Sequence, residues 1–278
     1  MVGKTWTLVP IEAAQLEVEV LGPGEPVVVV QTALTADELR PLAQQIAGRG
    51  GYRVIHYHRR GYARSSPAVA GATIADDTAD CRAVMEQLDA APAHVVGASY
   101  SAAIVLDLAS SALEQVHTVT VMEPPPVNVP SAAQFRAANI RLIEIAAKQG
   151  PIVALEQFMT TLVGSNWRQQ SERDLPGSVA AMERDAGTFF AADLPALLSW
   201  SFTGGDAHRI RCPVLSLGGS QSGPWFAESR AQLQRWLPQL EDITVTGAGH
   251  LLASTHPAEV AKLVTDFLSR HPTRATPA

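Results

Sequence analysis

Cysteine is nearly missing: Cys81 and Cys212 are the only two in 278 residues. They are too few for a disulfide framework and too far apart for a metal-type spacing. That suits a reducing compartment, with both thiols acting as small buried apolar groups. Charge is sparse at 17% and has no basic excess, since 21 Lys and Arg face 27 Asp and Glu for a net charge of −6. A nucleic-acid binder needs clustered cations against phosphate, so nucleic acid is not an expected partner. No apolar run reaches the roughly 18 residues of a membrane-spanning helix. Met1-Val2-Gly3-Lys4-Thr5-Trp6 shows no charged stretch leading into an apolar core, so no secretory signal is read there. The expected location is cytoplasmic, with no membrane partner. What the chain does have is 46% hydrophobic residues with 20 Gly and 19 Pro, an ordinary globular composition that excludes disorder. A chain of this length buries roughly 75% of its unfolded surface and needs no staples.

The first half alternates strand-like and helix-like runs. Thr5–Leu8 and Leu16–Val20 read as strands. Val27-Val28-Val29-Val30 is wholly apolar and β-branched, the pattern of a strand covered on both faces. An amphipathic helix follows over Asp37–Ala47, then a strand at Tyr52–Tyr57 and a helix over Thr73–Ala90 whose early Asp76, Asp77 and Asp80 complement the helix dipole. Ala93–Val96, a helix over Tyr100–Ala109 and Val116–Met122 continue the rhythm. From Val129 to His208 only helical periodicity is found, with Asp193 before Pro195 reading as one helix start. Strands then return at Pro213–Leu217 and Ile243–Val245, with helices over Phe226–Leu237 and Pro257–Leu268. Such βαβ units imply an α/β, doubly wound, mostly parallel eight-stranded sheet. The expected division is a core of residues 1–128 and 209–270, an inserted helical cap at 129–208 and a frayed tail at 271–278.

Two short motifs carry chemistry. Gly97-Ala98-Ser99-Tyr100-Ser101 lies between a strand and a helix. A serine on such a sharp turn is lifted above the sheet edge, and small residues two before and two after let strand and helix approach. The helix N-terminus points N–H groups at any anion forming beside Ser99. Gly247-Ala248-Gly249-His250 follows the last strand. His250 is therefore placed on the same sheet edge, in the order Ser before His.

With the loop Arg60-Gly61-Tyr62-Ala63-Arg64-Ser65, these pieces resemble the α/β-hydrolase fold superfamily over nearly all of residues 5–270. The resemblance implies a serine hydrolase with a helical cap and a Ser–acid–His triad. In the family the acid commonly follows the seventh strand in a Gly-x-x-Asp pattern, but here Gly219-Ser220-Gln221-Ser222 stands there without a carboxylate. The family's other location, the end of the sixth strand, carries Glu123 ahead of Pro124-Pro125-Pro126, so Glu123 is the expected acid and Glu228 the weaker alternative. The oxyanion donors implied are the N–H groups of Tyr100 and Ala33. Family members usually show His-Gly before the latter, and this chain has Gln31-Thr32, whose side chains are read as satisfying local backbone.

His56, His58, Arg59, Arg60 and Arg64 form a basic run, read as neutralising nearby carboxylates rather than gripping an anion. Phe158, Trp167, Trp200 and Trp225 are the substrate-binding candidates among the aromatics in and after the cap. The expected reaction is hydrolysis of a small to medium hydrophobic ester or lactone, without metal or organic cofactor. Carbon–carbon bond hydrolysis, acyl transfer and perhydrolysis would use the same residues. A non-catalytic ligand-binding member of the fold is the competing reading, motivated by Gln31-Thr32 and the missing Gly-x-x-Asp. Oligomeric state is left open, a homodimer being compatible.

Overall fold

The structure, a computed structural model, describes residues 6–273. Its eight strands are β1 (Thr7–Ile11), β2 (Ala14–Leu21), β3 (Glu25–Val30), β4 (Tyr52–Tyr57), β5 (Ala93–Ala98), β6 (Val116–Met122), β7 (Val214–Gly219) and β8 (Leu240–Val245). They form one sheet in the order β1-β2-β4-β3-β5-β6-β7-β8. The β1–β2 and β2–β4 pairs are antiparallel and the remainder parallel. Val27 to Val30 are fully buried, as a both-faces-covered strand requires.

Between strands lie α1 (Arg40–Gly48), α2 (Ile74–Gln87) and α3 (Tyr100–Ser111). The segment joining β6 to β7 contains no strand: it runs through α4 (Ala132–Gln149), α5 (Pro151–Leu162), α6 (Trp167–Asp174), α7 (Ser178–Thr188), a π turn at Phe189–Asp193, α8 (Leu194–Ser199) and α9 (Gly204–Ala207). α10 (Pro224–Trp236), α11 (Leu252–Thr255) and α12 (Pro257–Arg270) complete the chain. α1 and α12 cover one sheet face through Leu42, Ile46, Val260, Val264 and Phe267. α2 and α3 cover the other through Val84, Met85, Ile104 and Leu108. α3 is buried almost all round, which explains its near lack of charge. The helices after β6 have a cluster of their own, including Leu155, Met159, Trp167, Met182 and Phe190.

Several boundaries differ from the sequence reading. Thr5, the expected start of the first strand, lies outside the described residues, as do positions 274–278 of the expected tail. His271 to Thr273 are not frayed: Thr273 donates from its N–H and hydroxyl to Glu25 Oε2 at 2.6 and 2.8 Å, and His117 Nε2 meets the His271 carbonyl at 3.1 Å. Asp193 does not start a helix. The chain keeps helical dihedrals through it, and its side chain makes no cap bond. It points inward to a cation instead.

That cation is Arg59, at 3% exposure. Its guanidinium donates to Asp77 Oδ2 on α2 at 2.9 Å and to Asp193 Oδ2 at 2.8 Å. It lies over the Tyr100 ring, 4.3 Å from the centroid. Burial works against its charge, but Asp193 and Asp77 more than offset this and raise its pKa further. Burial pushes the Asp77 carboxyl up, only partly opposed by Arg59. Removing one partner of a buried pair leaves an uncompensated charge, so Arg59→Ala is expected to cost about 3–5 kcal/mol. Urea denaturation reads this directly, and an unchanged midpoint would refute it.

Candidate active site

Chain order brings the site residues to one place. β3 is followed by β4 on one side and β5 lies on its other side, so the carboxyl ends of β3 and β5 flank a topological switch point, where open α/β sheets hold ligands. β3 leads into Gln31-Thr32-Ala33, and β5 leads into Ser99.

Ser99 has φ +49° and ψ −116°, a strained backbone for a residue with a Cβ. Its N–H donates to the Met122 carbonyl at 2.8 Å, which holds the turn against β6. A Cβ on Gly97 would lie 2.3 Å from the Ser101 carbonyl oxygen, so only glycine fits there. Ser101 is fully buried and bonds back to Ala98, accepting from its N–H at 2.9 Å and donating to its carbonyl at 3.0 Å. Tyr100 is the first residue of α3, so its N–H has no partner within the helix.

His250 reaches the same cavity from the loop after β8, its ring packed on Phe226 with centroids 4.2 Å apart. Its Nδ1 lies 3.5 Å from Glu123 Oε2, with both side chains buried. Neither atom has a hydrogen-bond partner, so each is the other's nearest match. Glu123 also adopts a strained φ of +50°. Its other oxygen accepts from the Gly219 N–H at 2.7 Å and from Ser222 Oγ at 2.8 Å. The loop after β7, which lacks a carboxylate, thus supplies two donors that hold the carboxylate of β6. Sequence reasoning saw only the lack in Gly219-Ser220-Gln221-Ser222 and missed these donors. Glu228 is elsewhere: its Oε2 accepts from Ser131 N–H and Oγ, at 3.2 and 2.5 Å, at the start of α4.

The loop after β3 is fixed by its neighbours. Gln31 Oε1 accepts from the Arg59 N–H at 2.6 Å, and Thr32 Oγ1 donates to the Ala98 carbonyl at 2.8 Å. Both side chains serve backbone, as read from sequence. Leu34 has φ +70°, and its N–H donates to Tyr62 Oη at 2.8 Å. The Ala33 N–H makes no hydrogen bond to a described residue.

These groups open onto a cavity of about 550 Å³ whose wall includes Ala33, Ser99, Tyr100 and His250. Phe158 and Trp225 line it. Trp167 and Trp200 do not. Trp167 is fully buried among the helices after β6 and donates from Nε1 to Glu156 Oε1 at 3.2 Å, while Trp200 stacks on Phe202 with centroids 5.4 Å apart. An aromatic at helical spacing gives the same signal whether it faces a cavity or the next helix. The wall also carries Glu38, which sequence reasoning passed over inside an amphipathic helix pattern. Burial pushes its carboxyl up to about 7.

Within the basic run, His58 and the three arginines face carboxylates, while His56 does not. Arg60 binds Asp80 at 2.7 and 2.8 Å, and Arg64 binds Glu17 at 2.5 Å. Among the described residues, the group of side chains spaced to hold a metal ion is Asp37, His56 and His58, and none of these lines the cavity.

A family model described as the alpha/beta hydrolase family matches residues 32–263. The chain therefore belongs to that family. It is similar to an uncharacterized hydrolase, YraK, of Bacillus subtilis, at 31% identity over 117 residues, which covers 41% of this chain and only 42% of that relative. An enol-lactonase from Burkholderia xenovorans has the same fold, with a TM-score of 0.79 at 17% identity, covering 95% of this chain and all of that one. An alpha/beta hydrolase from Sphaerobacter thermophilus gives 0.76 at 26% identity, covering 94% of this chain and all of that one.

The elbow makes a stability forecast with an internal control. Gly97→Ala drives a Cβ into backbone and is expected to unfold the protein or cost several kcal/mol. Gly187→Ala, on a helix with nothing within 4 Å, is expected to stabilise by up to about 1 kcal/mol. Thermal denaturation of both separates them, and equal effects would contradict the close approach at Gly97.

Proposed function

We propose that the protein is a serine hydrolase of small to medium hydrophobic esters or lactones, acting through an acyl-enzyme on Ser99. The observation that carries this reading is Ser99 on a strained turn, facing one cavity with His250, whose Nδ1 is backed by Glu123. His250 Nε2 takes the Ser99 proton as Oγ bonds to the substrate carbonyl carbon. The carbonyl electrons move to an oxyanion, which accepts hydrogen bonds from the N–H groups of Tyr100 and Ala33. His250 then returns the proton to the departing alkoxide. Water deprotonated by His250 attacks the acyl carbon, and Ser99 leaves with the proton restored. Glu123 keeps the His250 proton on Nδ1 and stabilises the imidazolium. Neither step requires a metal or organic cofactor. The apolar cavity wall, with Phe158 and Trp225, favours a hydrophobic acyl or alcohol portion.

Ester hydrolysis is preferred over carbon–carbon bond hydrolysis, acyl transfer and perhydrolysis because it demands least of the leaving group. A short-chain p-nitrophenyl ester series is the test. Ser99→Ala should lose all turnover and all labelling by a fluorophosphonate. Wild-type inertness together with no labelling would instead indicate a non-catalytic ligand-binding protein. Glu123→Gln should slow acylation by about 10⁴, because an amide NH₂ facing Nδ1 selects the wrong tautomer. Near wild-type rates in that variant would remove Glu123 from the triad.

Glu38 adds a pH signature. Its carboxyl is neutral below about 7, well above an ordinary glutamate, because its burial disfavours the charge. An apolar substrate covers it further and so binds better to the neutral form. KM for a neutral ester should therefore rise as pH passes upward through 7, and Glu38→Gln should flatten the rise. The same slope in both proteins would exclude Glu38 as its source.

A further inference from the structure

Outside the catalytic cavity, a second cluster gathers from β4 and the β3–α1 loop. His56 and His58 are two apart on and just after β4, so their side chains leave the same sheet face. Both are buried, at 0% and 3% exposure. Asp37 Oδ1 lies 3.3 Å from His58 Nε2. One ligand atom from each of the three residues falls within 4.8 Å of the other two.

Hydrogen bonding assigns the nitrogens. His56 Nδ1 is 3.0 Å from the Val29 carbonyl, which only accepts, so Nδ1 carries the proton and Nε2 a lone pair. That Nε2 is fully buried and has no partner. His58 Nδ1 is 3.1 Å from Glu17 Oε2, and again only a donor suits that contact. His58 Nε2 faces the Asp37 carboxylate, a contact that needs a cation between the two atoms, a proton or a metal ion. A metal ion answers more than a proton does. It gives the orphaned His56 nitrogen a partner and separates His58 Nε2 from Asp37.

We propose that His56 Nε2, His58 Nε2 and Asp37 Oδ1 form a binding site for a divalent transition-metal ion of the zinc type. Two imidazoles and a carboxylate suit zinc, cobalt or nickel, whereas calcium and magnesium prefer all-oxygen sites. Ligands about 2.0–2.1 Å from a tetrahedral ion stand about 3.3 Å apart, as His58 Nε2 and Asp37 Oδ1 do here. The ligand atoms of the three residues lie within 4.8 Å of one another, so the set has to close by up to about 1.5 Å around an ion. The outer contacts are those that metal-binding histidines need, with Nδ1–H of each ring held by a carbonyl or a carboxylate. Glu19 is outside the ligand set, since Arg40 binds it through Nε at 2.9 Å and Nη2 at 3.0 Å. Trp6 covers His58, with ring centroids 4.1 Å apart. Access is through Asp37, which is 46% exposed and borders a surface cleft with Leu175 to Ser178. A bound ion would tie the loop bearing Ala33 and Glu38 to the end of β4. If His58 is an imidazolium beforehand, its Nε2 proton leaves to solvent as the ion binds.

The test is titration of the chelator-treated protein with Zn²⁺ by calorimetry and with Co²⁺ by visible absorption. One ion per chain, an intense four-coordinate cobalt band and a raised melting temperature are expected. Asp37→Asn, on a half-exposed side chain that the fold does not depend on, should weaken binding at least about tenfold, and so should His58→Gln. The exposed His208→Gln should leave binding unchanged. Ser99→Ala should bind the ion as the wild type does, which makes the result independent of the proposed hydrolysis. No binding by wild type overturns the proposal, as does equal binding by wild type and Asp37→Asn or only the pale spectrum of hydrated cobalt.

Discussion

One buried guanidinium organises everything at the carboxyl edge of the sheet. Arg59 leaves β4 and is held between Asp77 of α2 and Asp193 of the π turn. Those carboxylates hold two buried tyrosines. Tyr100 donates to Asp77 at 2.7 Å, and Tyr62 donates to Asp193. Tyr62 Oη in turn accepts from Leu34, the residue after Ala33. Through one charge the core strand, both core helices on that face, the inserted helices and the loop after β3 are set relative to one another. A low-dielectric site makes such a network strong when complete and costly when any member is left unpaired. The two backbone N–H groups of Ala33 and Tyr100 each adjoin a member of it.

Strain is concentrated where that network can support it. Leu34, Ser99 and Glu123 all have positive φ without being glycine, at +70°, +49° and +50°. Each follows a strand on the same edge of the sheet, and each is held by a backbone bond to a neighbouring element: Leu34 to Tyr62, Ser99 to Met122, Glu123 to Leu217. Conformations of this kind cost about 1–3 kcal/mol apiece and persist only where the surroundings over-determine them. Here Leu34 and Ser99 line the cavity, and Glu123 stands behind His250.

The succession of strands and helices, the switch from strand rhythm to helices after β6 and the elbow were legible because they rest on local signals. A β-branched run, a 3.6-residue period and glycines at fixed offsets declare themselves within a few residues. Glu123 was reached through the family's alternative acid position at the end of the sixth strand, and it is the carboxylate that lies 3.5 Å from His250 Nδ1. What escaped depends on facing. Trp167 and Phe158 are nine residues apart on neighbouring helices, yet one is buried inside and the other lines the cavity. Asp193 looked like a cap because Asp before Pro usually is one, and only tertiary structure shows Arg59 waiting for it. Glu38 was hidden because a polar residue in an amphipathic helix pattern is assigned to solvent by default.

The loop after β3 shows how a fold can replace a missing glycine. A His-Gly pair would give that loop its turn by backbone freedom. With Gln31-Thr32 in its place, freedom is traded for fixation. Gln31 anchors on Arg59 N–H, Thr32 on the Ala98 carbonyl, and Leu34 accepts the left-handed backbone with Tyr62 Oη as its partner. The anchors come from β5 and, twice, from the loop after β4, so the backbone around Ala33 is fixed by three separate bonds. In the proposed reaction, a donor held this way would have little reorganisation left to undergo as charge develops on an oxygen beside it, which is the condition under which fixed dipoles contribute most to a transition state.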